Sequence, residues 1–515
     1  MQTRVNAERM LIGGSLVESE SQQWDESINP ATEEVIGRAP AATKADVDKA
    51  VVAAETAWPA WAAMPVGERS EILLSLARKL QERADELLHV EVNDTGNTIT
   101  PMRGDVRMAI DALKYFTGLG YEIKGESIPA TPQNLHFSVR EPYGVVGKIV
   151  PFNHPIMFAV SRAVPALVAG NAVIVKPAET SPLSTLILAE IVQSTLPPGI
   201  FNIITGKGAT AGDAIVRHPK IKRLGFIGSV PTGLAIQRAA AETCVKNITL
   251  ELGGKNPMIV FPDVDVDEVA QAAVNGMNFS WQGQSCGSTS RLLLHEDIHD
   301  AVLERIAKIV SSMRVGDPMD EKSQMGPINS AGQYAKVLKY VKVALDDGAE
   351  LVTGGKRPAG GEFKKGFWIE PTVFSGVSAE MRIAQEEVFG PLLSVFRWGN
   401  VEEALAIANS TEFGLTAAIF WTNDLNSALW TARRVRSGYL WINGTSAHFL
   451  GTGFGGYGNS GIGREEGLED VLSYTESKTI HLMIKPPKPM VAAVKNSKTG
   501  GESGWKGTIF GVPQD

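Results

Sequence analysis

The sequence predicts an α/β protein: two regions, each built on a parallel sheet, and a small β-strand element beside them. Three observations carry this expectation. Short apolar runs alternate with stretches whose apolar residues recur every three or four positions, the pattern of strand–helix–strand units with right-handed crossovers. At 515 residues the chain is too long for one ordinary core, so two or three domains are expected. Two polar extended stretches, residues 120–142 and 475–484, have strand character without core-strand apolarity and pair with each other as an arm in this reading.

In order along the chain, residues 45–91 place Ala, Leu, Glu and Arg at helical spacing. Residues 145–150 read as a buried strand and 172–176 as a second, followed by Pro177 and a helix from about Ser184. Residues 201–204 and 222–227 complete the first set of strands. A second set follows near 258–261, 290–295, 392–396 and 417–420. After Lys485 comes a Pro-, Lys-, Gly- and Ser-rich tail, read as loosely attached or wrapped on a partner subunit.

Composition narrows the function. Apolar residues make up 43% and charged residues 21%, ordinary for a globular enzyme. A net charge of −8 argues against a nucleic-acid partner. No apolar run is long enough to span a bilayer, and the first residues lack the apolar stretch of a secretory signal. Two cysteines cannot build a disulfide framework, so a reducing, cytoplasmic setting is expected.

Two segments carry reactive groups. Leu250-Glu251-Leu252-Gly253-Gly254 ends an apolar run with one carboxylate, and Gly283-Gln284-Ser285-Cys286-Gly287 holds one thiol in a glycine-flanked loop. A thiol attacks carbonyl carbon well, and a carboxylate can activate the water that later releases an acyl thioester. Cys244, between an alanine-rich helix end and an apolar strand, reads as a buried structural thiol.

A nucleotide site is suggested by Phe226–Gly233, where Gly228, Ser229 and Gly233 end a strand and open a helix. Backbone N–H groups at such a helix start face a pyrophosphate well, and Pro231 suits its first turn. Lys176 and Glu179 end an adjacent strand, where doubly wound sheets bind nucleotides; alone they would read as a solvated pair. Gly451-Thr452-Gly453-Phe454-Gly455-Gly456 fits the dinucleotide fingerprint by letter but has no preceding strand and no following helix, so it reads as a loop. His295-Glu296-Asp297-Ile298-His299 fits a zinc-protease pattern, but His295 closes a strand, and no metal is expected.

Taken in order, these motifs resemble the aldehyde dehydrogenase superfamily, from about residue 10 to about 485. The resemblance implies a Rossmann-like cofactor domain at residues 1–122 and 143–254, a catalytic α/β domain at 255–453, an oligomerisation arm at 123–142 and 470–490, and a tail at 491–515. It implies Cys286 as nucleophile and Glu251 as general base. Asn153, in the loop Pro151-Phe152-Asn153-His154, forms the oxyanion hole with the Cys286 N–H in this reading. Lys176 and Glu179 hold the adenosine ribose of NAD, with NADP also admitted; Ser229 and Gly233 face the pyrophosphate, Glu387 binds the nicotinamide-side ribose and Phe389 packs on the nicotinamide. By position, His154, Met157, Ser161, Ser280, Ser285, His448 and Phe454 line the aldehyde tunnel. Small Ser161 and Ser280 imply a roomier tunnel for a larger aromatic or polar aldehyde, unless backbone shifts fill the space.

The implied reaction is oxidation of an aldehyde to its acid through a cysteine thioester, hydrolysed by glutamate-activated water, in a homodimer or homotetramer. A CoA-acylating semialdehyde dehydrogenase would not need Glu251. A structural protein on the same scaffold would tolerate loss of the thiol.

Overall fold

The structure, a computed structural model, describes residues 9–420 and 424–485. Residues up to Lys124 together with Arg140–Ser477 form one compact unit; Gly125–Val139 and the described residues from Lys478 on form a second.

The first unit holds two large sheets. From edge to edge, the eight strands of one are Gly461–Ile462, Asn247–Leu252, Arg223–Gly228, Val145–Ile149, Ala172–Lys176, Phe201–Ile203, Met10–Ile12 and Ser15–Val17. Its five central strands are parallel, and the short edge strands run antiparallel. The second sheet runs Glu350–Thr353, Thr372–Ser375, Leu392–Trp398, Arg291–His295, Pro257–Val260, Thr416–Phe420 and Tyr439–Ile442. All but its first pair are parallel.

Both faces of the second sheet are covered, which is why its strands read as continuous apolar runs. Ile259, Leu293, Phe396 and Ile419 pack into one core, while their neighbours Met258, Leu292, Val395 and Ala418 pack into another on the opposite face. The strands without long apolar runs, such as Gly461–Ile462, Met10–Ile12 and Glu350–Thr353, left little sequence signal and were not anticipated.

The expected helical stretch at 45–91 is three helices, Lys44–Ala63, Val66–Glu82 and Ala84–Thr95. A Thr43–Asp46 capping box starts the first, extended Pro65 separates it from the second, and Gly96 at φ 80° ends the third. Ile99–Gly118 follows. These helices, and the turn between the last two, carry Glu91, Asp105 and Asn97 to the site.

A third sheet has three strands, Thr475–Met483, Asn134–Pro142 and Ser127–Ile128. The arm expected from residue 470 starts later, because Asp470, Val471 and Tyr474 are buried in the first unit. The Tyr474 ring lies under Lys148 Nζ at 5.0 Å and Arg223 Cζ at 4.6 Å. The tail at 491–515 lies outside the described residues.

Cys244 is not the buried thiol expected. It is half-exposed, 3.6 Å from the Pro219 carbonyl, and the adjacent Val245 is 95% exposed.

Candidate active site

The loop that carries Cys286 is built from unusual backbone. Asn278, Gln282 and Gly283 take left-handed conformations, at φ 55°, 53° and 65°, around the single turn Phe279–Trp281. At Gly283 a Cβ would lie 2.3 Å from the Gly390 carbonyl oxygen, so only glycine fits. Asn256 Nδ2 donates to the carbonyls of Cys286 at 2.7 Å and Ser288 at 2.9 Å, and its Oδ1 accepts from Thr416 N at 3.1 Å. One amide thus ties the loop to the second sheet. No motif reading singled out Asn256.

The Cys286 thiol donates to Glu251 Oε1 at 3.3 Å. Glu251 is not the solvated strand-end residue that its local sequence suggests. It is 3% exposed, in register with Ile227 on one side and Gly461 on the other. Behind it stands Arg162, whose Nη2 lies 3.5 Å from Glu251 Oε2 and donates to Glu466 Oε1 at 3.0 Å. Arg162 Nε lies 2.8 Å from Glu465 Oε2, and Lys148 Nζ lies 3.5 Å from Glu465 Oε1. Burial pushes Glu251 up to about 8 against the pull of Arg162, with Glu465 adding to the rise. Burial also pushes the Cys286 thiol up, and the Glu251 charge pushes it further. Glu466 goes the other way: the His448 hydrogen bond and the Arg162 guanidinium outweigh burial and carry it down to about 2. Of the three buried carboxylates on Arg162, Glu466 and Glu251 are therefore set far apart, the first held ionised and the second holding its proton more tightly.

Asn153 is buried in the loop between strand Val145–Ile149 and helix Pro155–Ser161. Its carbonyl accepts from Asn97 Nδ2 at 2.9 Å, while its Oδ1 has no hydrogen-bond partner among the described residues. Glu91 Oε1 accepts from Ile156 N at 2.9 Å, and His154 Nδ1 meets Asp105 Oδ2 at 2.7 Å. Two side chains from the preceding helices, Glu91 and Asp105, and Asn97 from the turn between them thus fix this loop. They were not anticipated, because two look like ordinary polar positions of amphipathic helices and the third like an ordinary turn asparagine. Asn97→Ala leaves the Asn153 carbonyl buried without its donor and frees the loop. We expect kcat to fall roughly tenfold to a hundredfold, in a protein whose thermal melt confirms folding. Unchanged kcat would remove Asn97 from the site.

Cys286, Glu251 and Arg162 line a cavity of about 250 Å³. Of the residues expected along the tunnel, His154, Met157, Ser161, Ser285, His448 and Phe454 line it. Ser280 does not; the Phe279–Trp281 turn aims its neighbour Trp281 there, and the Ser280 carbonyl accepts from Thr98 N at 3.4 Å. Phe454 is held by backbone pairing with Glu465, which gives the glycine-rich 451–456 segment its place beside the cavity. His295 caps helix Glu296–Ser312 and meets Trp398 edge-on, while His299 meets Asp300 and Arg397.

The residues expected to hold a dinucleotide lie at the ends of strands Ala172–Lys176 and Arg223–Gly228 and in the run at Glu387. Ser229 is the N-cap of helix Val230–Ala241, but its hydroxyl bonds Thr232 Oγ1 at 3.0 Å rather than the helix N–H groups, which stay free for a phosphate. A Cβ on Gly233 would meet the Leu252 side chain at 2.9 Å, so glycine lets this helix pack on the Glu251 strand. Lys176 is buried, donates to the Pro177 carbonyl at 2.9 Å and lies 3.6 Å from Glu179 Oε2. Burial lowers Lys176 against the pull of Glu179, whose side chain is 46% exposed. Glu387 is raised by burial; its Oε1 accepts from Gly254 N at 2.9 Å. Phe389 sits at φ 56° with its ring edge-on to Phe152 at 5.7 Å.

The description "Aldehyde dehydrogenase family" belongs to the family model that matches residues 16–480. The chain is 44% identical over 464 residues to aldehyde dehydrogenase tropH of Talaromyces stipitatus, a match covering 89% of this chain and 90% of that one. PnpE in complex with nicotinamide adenine dinucleotide superposes with a TM-score of 0.91, and PnpE from Pseudomonas sp. WBC-3 with 0.90, both at 40% identity over 94% of this chain and 99% of that one. An NAD-dependent aldehyde dehydrogenase from Sinorhizobium meliloti superposes with a TM-score of 0.91 at 37% identity, over 95% and 97% of the two chains.

Proposed function

We propose that this chain, which belongs to the aldehyde dehydrogenase family, oxidises an aldehyde to the carboxylic acid with NAD and water. The observation that carries this reading is the 3.3 Å contact between the Cys286 thiol and buried Glu251 at the cavity. Glu251 Oε1 accepts the thiol proton as sulfur bonds the aldehyde carbon, giving a thiohemiacetal. The oxyanion meets the Asn153 amide and the Cys286 N–H, which together are worth several kcal/mol of barrier. NAD, when bound, supplies the acceptor for the hydride that leaves the thiohemiacetal carbon. Glu251, freed of its proton, then takes one from water, which adds to the thioester carbon. The C–S bond breaks, the acid departs and Cys286 recovers its proton. The balance is aldehyde, NAD⁺ and water in, acid, NADH and a proton out.

Lys176, Glu179, Ser229, Gly233, Glu387 and Phe389 are the residues proposed to hold NAD. Homodimer or homotetramer formation through the three-stranded sheet, and a cytoplasmic location, belong to the same proposal. On that sheet Leu482 and Met483 are exposed.

Glu251 supports hydrolysis over transfer to coenzyme A, and retention of the Cys286–Glu251 pair supports an enzyme over a structural protein. The test is NADH and carboxylate formed in equal amounts from an aldehyde without coenzyme A; absence of NADH from every aldehyde sinks the reading.

A cofactor prediction follows from Glu179. An exposed carboxylate accepts from a ribose 2′-hydroxyl and repels a 2′-phosphate. The wild type should prefer NAD over NADP, partly offset by Lys176 beside it. Glu179→Gln should narrow that gap about fivefold or more, read as the ratio of kcat/KM values. A wild type that favours NADP overturns the assignment.

A further inference from the structure

The cavity beside Cys286 has room, walls and polar groups that define more than an aldehyde site. A space of roughly 150 Å³ accepts benzene, so about 250 Å³ holds one ring with a substituent or two. Its walls include Phe158, Trp281 and Phe454. The His154 ring lies 5.4 Å from Phe158 and 5.6 Å from Trp281, and the His448 ring lies 4.7 Å from Phe454 and stacks at 16° on Tyr439.

Each histidine is pinned by a carboxylate at the same nitrogen. His154 Nδ1 meets Asp105 Oδ2 at 2.7 Å, and His448 Nδ1 meets Glu466 Oε2 at 3.1 Å. With Nδ1 turned to the carboxylate, Nε2 is the ring nitrogen left for a ligand, and in the neutral ring it carries the lone pair and accepts a hydrogen bond.

Cations point the same way. Arg162, which lines the cavity, already lies within ion-pair distance of Glu251, Glu465 and Glu466. A substrate carboxylate would therefore enter without an unpaired cation and face Asp105 and Glu466 behind the histidines, a costly burial of charge.

We infer that the cavity selects a neutral, single-ring aromatic aldehyde bearing a hydroxyl, whose hydrogen is taken by Nε2 of His154 or His448. This rests on the aldehyde-oxidising reading above and goes beyond it to the substrate class.

The test uses the full chain with NAD and compares kcat/KM for 3-hydroxybenzaldehyde and 3-methoxybenzaldehyde, which differ in the O–H hydrogen, with benzaldehyde and 3-carboxybenzaldehyde alongside. The hydroxy compound should exceed the methoxy one about threefold to tenfold, the worth of one hydrogen bond, and the carboxy compound should fall at least about tenfold below benzaldehyde. His154→Phe or His448→Phe, whichever removes the acceptor, should bring the hydroxy-to-methoxy ratio to about one. A wild-type ratio near one, a preferred carboxy compound, or a ratio that survives both substitutions overturns the inference while aldehyde oxidation stands. No NADH from any of the four would instead fail the proposed function.

Discussion

Replacing Cys286 by alanine should abolish aldehyde oxidation, by a factor of roughly 10⁴ or more, and leave NAD affinity within about twofold. The thiol is the group in the cavity able to bond the aldehyde carbon, and the proposed dinucleotide residues lie on other elements: the ends of strands Ala172–Lys176 and Arg223–Gly228 and the run at Glu387. Alanine fills less space than cysteine and leaves the Asn256 bonds to the loop carbonyls in place, so the loop should keep its course. Cys244→Ala is the control. Its thiol sits half-exposed against one carbonyl, and surface changes of this kind stay within about 0.5 kcal/mol. NADH production at saturating aldehyde and a separate NAD titration give the two readouts. Turnover by the Cys286 variant near the wild-type rate would remove the covalent mechanism.

The second large effect concerns Glu251. Glu251→Gln keeps the shape and a hydrogen-bond acceptor for the thiol but cannot take a proton from water. We expect one NADH per active site in a first turnover, slowed because the nearest acceptor of the thiol proton is weakened, then steady-state turnover lower by about 10²–10⁴. Stopped-flow absorbance reads both phases. The wild type should also show a pH limb. Burial raises Glu251 to about 8 against the pull of Arg162, so below that pH the resting carboxyl holds its proton and cannot serve as base. Where base action limits turnover, kcat should rise with pH and level off above about 8. The glutamine variant should lose that limb. Steady-state turnover undiminished in Glu251→Gln would exclude this residue as the base.

Much of the fold was legible because its signals are local. The runs at 145–150, 172–176 and 258–261 are apolar on both sides, so each fits a sheet covered on both faces, and the matching strands lie where expected. The reactive motifs were legible for a similar reason: a thiol among small residues and a carboxylate before two glycines are patterns within a few positions. Phe226–Gly233 showed its strand-to-helix turn in the same way.

The sequence by itself therefore determined the α/β architecture, the Cys286 loop and the presence of Glu251 at a strand end. The tertiary structure alone decided what surrounds them. Arg162 meets Glu466 across 304 positions and Lys148 meets Glu465 across 317, and neither pairing leaves a periodic or spacing signal. The same folding buries Glu251, turns Trp281 rather than Ser280 to the cavity, brings Asp105 to His154 and leaves Cys244 at the surface. The physical reason is that periodicity and turn chemistry act between neighbours along the chain, whereas burial, ion pairing and the resulting proton affinities act through space between residues that only the packed chain brings together.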